Sequence, residues 1–180
     1  GKQVLPVKIG IPPLLSTLFF PEMLLSFKEK QPDIPVELFE YGSIRAAGLV
    51  RQELLDLALV NMNFYDIDKM NSCRILTDHI IFCVSPEHHL AREKEVSIEM
   101  LRNEPLIMYN TDSVQNATLC NLFESMGIKP NVILHASQLY TIRNFVSACL
   151  GGACLYSSVL ADCTDLVRIP IKPLIHQDIG

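Results

Sequence analysis

Hydroxyl side chains recur where an apolar run gives way to a helix-like one. Ser16 and Thr17 follow VKIGI, Ser43 follows VELFEYG, Thr111 and Ser113 follow LIMYN, and Ser137 follows NVILHA. The first amides of a helix have no acceptor within it, and its dipole places about half a positive charge there. Four helix starts facing one cleft, those after Ile11, Tyr41, Thr111 and Ala136, would therefore hold a carboxylate or phosphate without an arginine clamp. The candidate set is Pro13, Leu14, Ser16 and Thr17 at the first start, Gly42 and Ser43 at the second, Asn61 just past another apolar run, and Thr111, Ser113 and Ser137. Each hydroxyl alone is equally an ordinary helix cap, so the set carries the reading. Pro12 and Pro13 lack an N–H, which leaves recognition at the first start to Leu14 through Thr17.

The other reactive side chains point away from catalysis. His79 beside Asp78 could form an acid/base pair, but no Ser or Cys nucleophile stands in an elbow or oxyanion motif. His88-His89 sits in a charged connector and reads as a solvated turn, since adjacent histidines make poor joint ligands. Cys149 and Cys154 lack partner pairs at zinc-ligand spacing, so no metal is expected. The six cysteines read as free thiols, most of them in apolar surroundings such as IIFCVS. Gly10 is the lone glycine at its strand-to-helix junction, so no phosphate-cradling Gly-rich loop and no cofactor are expected. Arg143 reads as a surface charge and Asp56 as a strand-entry residue with a structural hydrogen bond.

The elements that would position these groups follow from periodicity. A strand through Val7 to Ile11 leads into a helix beginning at Ser16 or Thr17, with Pro21 near the end of its first turn and Pro32 closing it. Alternation over Ile34–Tyr41 predicts a strand; Ser43 caps a helix from Ile44 to about Gln52, and apolar LLDLALV, Leu54–Val60, reads as a strand buried on both faces. A polar loop, Asn61–Ser72, precedes a strand or strand pair in which Ile80–Val84 is central. The second half gives a short helix capped by Ser97 and a strand LIMYNT. A helix opened at Asp112–Gln115 and ended by Gly127 precedes the strand NVILHA. A helix capped by Ser137 then leads to strands ACLYS and LVRIPI.

Two βαβ-rich halves in 180 residues, 49% of them hydrophobic, suggest two lobes around a cleft. The expected fold class is α/β, with residues 1–80 and 175–180 in one lobe and 81–174 in the other. The chain would cross between lobes near Ile80–Ser85 and again near Leu174–Gly180, and its last residues read as a strand entering a lobe, which suggests either a truncated sequence or a closing helix left unresolved. A net charge of −5 without a Lys/Arg cluster argues against nucleic-acid binding by this segment. No stretch approaches the roughly 20 apolar residues of a membrane span, and no signal peptide is evident. With the free thiols, this leans to a cytoplasmic protein.

The ordered set IGIPPLLSTLFFPEMLLSFKEKQPDIPVEL, GS, LLDLALV, VSPEHHLA and VSACLGGACL resembles the effector-binding domain of LysR-type transcriptional regulators over nearly the whole chain. Val84–Ala91 is the most recognisable part, close to the family's SP-x-HPLA pattern with His89 in place of Pro; Cys149-Leu150-Gly151-Gly152 also departs from the usual small residue and Gly-x-Gly. The resemblance implies a type 2 periplasmic-binding-protein fold, each lobe a mixed sheet flanked by helices, with an effector in the cleft. It further implies a homodimer (tetramer in the full-length regulator) and DNA contact only through a winged helix-turn-helix preceding this segment, with Gly1 an expression scar. The expected function is effector sensing, of a carboxylate or other anion, by a non-enzyme. The alternatives are a transporter's solute-binding protein and a lyase on this fold.

Overall fold

The computed structural model describes residues 3–64 and 66–180, so the reading of Gly1 lies outside the described residues. The first lobe is a parallel sheet of β1 (Val7–Ile11), β2 (Val36–Glu40) and β3 (Leu57–Ala58) in the order β2-β1-β3. Helix α1 (Pro13–Lys30) connects β1 to β2, and α2 (Ser43–Arg51) connects β2 to β3. Gly10 lets α2 pack close: a Cβ there would lie 2.7 Å from Leu55 Cδ1 and 3.2 Å from Ala46 Cβ.

Three sequence expectations shift in this lobe. Helix α1 starts at Pro13 rather than at Ser16 or Thr17, because a first-turn N–H has no helical acceptor and its loss at Pro13 costs nothing. Pro21 therefore falls in the helix interior instead of near the first turn. Helix α2 starts at Ser43 with Gly42 as its N-cap, so Ser43 is not the cap. The apolar run Leu54–Val60 is not one doubly buried strand. Its first residues close α2, where the Leu54 and Leu55 amides both reach Leu49 O at 2.9 and 3.2 Å, and Leu54 and Leu57 are exposed. Asp56 does take the expected structural bond, accepting the Lys8 N–H at 2.7 Å.

The second lobe is a mixed sheet in the order β6-β5-β7-β4-β8. Its strands are β4 (Leu76–Val84), β5 (Pro105–Tyr109), β6 (Asn131–Ala136), β7 (Gly152–Tyr156) and β8 (Val167–Pro170). Helix α3 (Val114–Ser125) lies between β5 and β6, and α4 (Leu139–Ser147) between β6 and β7. The expected short helix after Ser97 is a single 3-10 turn, Glu99–Leu101. Strand β4 changes partners along its length: Leu76–His79 pairs with β9 (His176–Ile179), whereas Ile80–Val84 pairs with β7 and β8. Strand β9 is tied in turn to the end of the β3 segment through the reciprocal Val60–Gly180 bonds at 2.8 and 3.1 Å. Two strands thus run between the lobes.

Alternation along β4 feeds two cores. Ile80, Phe82 and Val84 pack with Leu106, Leu119 and Phe123 on one face; Ile81 and Cys83 pack with Ile107, Ile142, Val146 and Leu155 on the other. The second of these cores also takes in Ile11, Leu14, Leu15 and Leu59 of the first lobe, so the lobes share buried apolar surface. At about 1.5–3 kcal/mol per fully buried large aliphatic side chain, that shared patch holds the strand-to-helix junctions of both lobes face to face.

Candidate functional site

The junctions meet around a cavity of about 260 Å³. Pro13, Glu40, Tyr41, Gly42 and Arg45 line it from the first lobe, and Tyr109, Asn110, Asp112, Ser137 and Gln138 from the second. All four expected helix starts, or the turns leading into them, are represented, but their donors are not equivalent. A larger hollow of about 490 Å³ borders Arg51, Asp56, Met62, Lys69 and Gly180, where no α-helix N-terminus opens among the described residues and Asp66 already pairs with Arg51 and Lys69 at 3.9 and 3.2 Å. The junction cavity is therefore the better candidate for a ligand.

The start of α1 is already satisfied. Pro12 and Pro13 have no N–H, and the Leu15 and Ser16 amides bond back to Pro12 O, each at 3.0 Å. The Leu14 amide meets the Tyr109 hydroxyl, which burial keeps protonated, and the Leu14 side chain is in the core. Ser16 has one hydroxyl proton for two acceptors, Pro13 O at 2.8 Å and Glu40 Oε1 at 2.9 Å, and Thr17 donates to Leu14 O at 3.0 Å. Local back-bonding thus occupies the hydroxyls of Ser16 and Thr17, and of the residues expected at the first start Pro13 alone borders the cavity.

At α3, Ser113 takes the alternative role of an N-cap, accepting the Asn116 N–H at 3.0 Å, and does not line the cavity; Thr111 is exposed and does not line it either. Helices α2 and α4 are different. Their N-caps, Gly42 and Gln138, line the cavity from opposite lobes and make no side-chain cap bond, so no capping side chain takes up the first-turn amides of either helix. Ser137 lines the cavity one residue before the N-cap and does not cap α4, contrary to expectation. Ser43 and Asn61 are buried at 3% and 1% exposure and bond to each other, the Asn61 N–H to Ser43 Oγ at 2.9 Å, so neither faces the cavity.

Local signals for Glu40, Tyr41, Arg45, Tyr109, Asn110, Asp112 and Gln138 were weaker. The readable one was a tyrosine and an arginine four residues apart flanking Gly42-Ser43. The Arg45 guanidinium lies 4.4 Å from the Tyr41 ring centre, and Phe39 stacks beside Tyr41 at 6.3 Å. A fixed cation thus adds to the α2 amides, while Glu40 and Asp112 supply acceptors. One cavity is thus lined by a guanidinium and two carboxylates together with the turns into α2 and α4.

Other reactive groups are held in structural roles. Asp78 is buried and accepts Ser158 Oγ at 2.6 Å and the His79 N–H at 2.7 Å. Arg143 pairs with Asp165 at 3.2 Å, away from the cavity. His88 is not in a solvated turn. Its side chain is 6% exposed, and Nδ1 accepts the Leu90 N–H at 3.0 Å, so the proton sits on Nε2 and faces Glu104 Oε2 at 3.5 Å. His89 Nε2 meets the other Glu104 oxygen at 2.6 Å. The His88, His89 and Glu104 ligand atoms lie within 4.8 Å of one another, yet a metal at His88 Nε2 would require an imidazolate; a carboxylate clasp fits instead. All six cysteines are free thiols. No helix among the described residues is long and apolar enough to cross a membrane.

Known proteins agree with this architecture. The LysR substrate binding domain family matches residues 4–180. The chain is 31% identical to the HTH-type transcriptional regulator YwbI of Bacillus subtilis, across 94% of this chain and 56% of that protein. It is also 31% identical to the transcriptional dual regulator GltC of Bacillus subtilis, across 97% of this chain and 59% of that one. The chain thus spans little more than half the length of these relatives. Among solved structures, the Synechocystis PCC6803 CcmR regulatory domain in complex with 2-PG superposes with TM-score 0.84 at 19% identity, covering 97% of this chain and 85% of that one. The QuiR effector binding domain in complex with shikimate gives 0.83 at 14% identity, covering 98% and 87%. These likenesses carry the fold, two α/β lobes of the periplasmic-binding-protein kind, and the family match carries the membership: this chain belongs to the LysR substrate binding domain family.

Proposed function

We propose that this chain is the effector-sensing part of a LysR-type transcriptional regulator and binds a small anionic metabolite in the cavity between Gly42 and Ser137. The observation that carries the reading is the pair of uncapped helix starts, α2 and α4, that open on one cavity from opposite lobes beside Arg45. Ligands named for two structural neighbours, 2-PG and shikimate, support a small-molecule effector. Residues 1–80 and 175–180 form one lobe and 81–174 the other, a division supported by the partner change of β4 between His79 and Ile80. An effector touching both lobes favours one lobe arrangement, by no more than its differential affinity for the two.

In the same reading the protein is a cytoplasmic homodimer, tetrameric at full length, that contacts DNA through a winged helix-turn-helix and is not an enzyme. The HTH-type regulators among its relatives favour this over a transporter's solute-binding protein. Thermal-shift screening against small carboxylates, phosphorylated acids and amino acids tests it. An anionic compound that raises Tm is expected, and stabilisation only by neutral or cationic compounds would refute it.

A further inference from the structure

Asn61 is a polar residue at the end of an apolar run, yet it is 1% exposed, and its side-chain amide and backbone N–H all have protein partners. Its Nδ2 donates to Tyr156 Oη at 2.7 Å and to Gln177 Oε1 at 2.6 Å, and its Oδ1 accepts the Asn63 N–H at 3.0 Å. Its backbone N–H goes to Ser43 Oγ at 2.9 Å, and its backbone bridges to Ile179. These partners come from separate parts of the fold. Tyr156 ends β7 in the second lobe, Gln177 is on β9 between the lobes, and Ser43 opens α2 immediately after Gly42 of the cavity wall.

A fully satisfied buried polar network is rigid, because any movement of one member that breaks a bond leaves another unpaired in a low-dielectric interior. We infer that Asn61 is a positioning residue: it joins the α2 turn bordering the cavity to β7 and β9, so that the cavity wall and the interlobe strands move as one unit. Resting on the effector reading of the cavity, this gives a bound molecule a direct mechanical route from the Gly42 amides to the strands on which the lobes turn. A role in touching the effector is thereby replaced by a role in transmitting its presence.

Amide hydrogen exchange on the ligand-free protein tests the joint without any effector. Three reporters are placed for it: the Ala46 amide, bonded to Gly42 O at 2.9 Å in the first turn of α2; the Gly180 amide, bonded to Val60 O at 3.1 Å; and the remote Ile128 amide, bonded to Phe123 O at 2.9 Å. Tyr156→Phe removes one hydroxyl that does not touch α2 and is expected to speed Ala46 exchange by at least about threefold while leaving Ile128 unchanged. Ser43→Ala is expected to do the same at Gly180. In an Asn61→Leu background, adding Tyr156→Phe should change Ala46 exchange no further. Equal acceleration at all three amides, an unchanged Ala46, or an undiminished Tyr156→Phe effect in the Asn61→Leu background would overturn the inference; should Asn61→Leu fail to fold, the two single variants decide. Because no effector enters this measurement, its failure is distinct from a failure of Arg45→Ala to weaken binding.

Discussion

Glu53 and Cys149 share one left-handed backbone conformation, φ 59° at each, and close α2 and α4 with the hydrogen-bond pair that Gly127, at φ 68°, uses to close α3. In each case the residue itself bonds three back, to Val50, Val146 or Glu124, and the next residue bonds five back, to Leu49, Phe145 or Phe123. This is the Schellman ending, and glycine is its natural occupant. A side chain in that conformation costs roughly 1–2 kcal/mol.

Cys149→Gly and Glu53→Gly should therefore each stabilise the fold, by about 1 kcal/mol after glycine's extra freedom in the unfolded chain is subtracted. Differential scanning calorimetry should show Tm rising by about 2–4 °C per substitution. Gly127→Ala should lower it comparably. A Tm that falls for both glycine variants would mean that the side chains make compensating contacts.

Acid should weaken the clasp at His88. Burial lowers its pKa below the ordinary histidine value, outweighing the pull of Glu104 in the other direction. A depressed folded-state pKa contributes stability that is present above the unfolded value of about 6.5 and is lost as pH falls through the lower folded value. In urea unfolding, the wild type should lose more stability between pH 7 and pH 5 than His88→Asn, whose Oδ1 can still accept the Leu90 N–H. Equal losses in the two proteins would show that His88 does not carry this proton linkage.

Thiol chemistry should divide by position. Burial pushes Cys83 and Cys154 up to about 12, and Cys163 is raised as well while its thiol donates to Asp165 at 3.1 Å. Cys73 and Cys149 are exposed. Brief iodoacetamide treatment of the native protein at pH 8, read by peptide mass spectrometry, should label Cys73 and Cys149 and spare Cys83 and Cys154. Labelling of Cys83 at the rate of Cys73 would contradict the packing of β4.

Local pattern carried a good part of the fold. The βαβ order, Gly127 as a helix end and NVILHA as a strand were all legible, since each depends on neighbours within a few residues. Leu54–Val60 was misread because hydrophobicity does not reveal that Leu54 and Leu55 belong to a helix ending. The cavity was legible as a meeting of helix starts, but not in which donors remain free. Ser16 looks like a ligand contact until Glu40, 24 residues away, is placed beside it, and Asn61 until Tyr156, 95 residues away, is. Arg45 was hidden by the opposite effect, an ordinary surface charge by sequence that gains its place only when the second lobe faces it.

On the proposed reading, an anionic effector is held by α2, α4 and Arg45 rather than by the hydroxyls of α1. Isothermal titration of the strongest anionic hit into wild type, Arg45→Ala and the double variant Ser16→Ala/Thr17→Ala tests it most directly. Loss of a charge-assisted contact should weaken binding to Arg45→Ala by about tenfold or more, with the double variant within about twofold of wild type. Unchanged affinity in Arg45→Ala, with binding lost in Ser16→Ala/Thr17→Ala, would contradict the account.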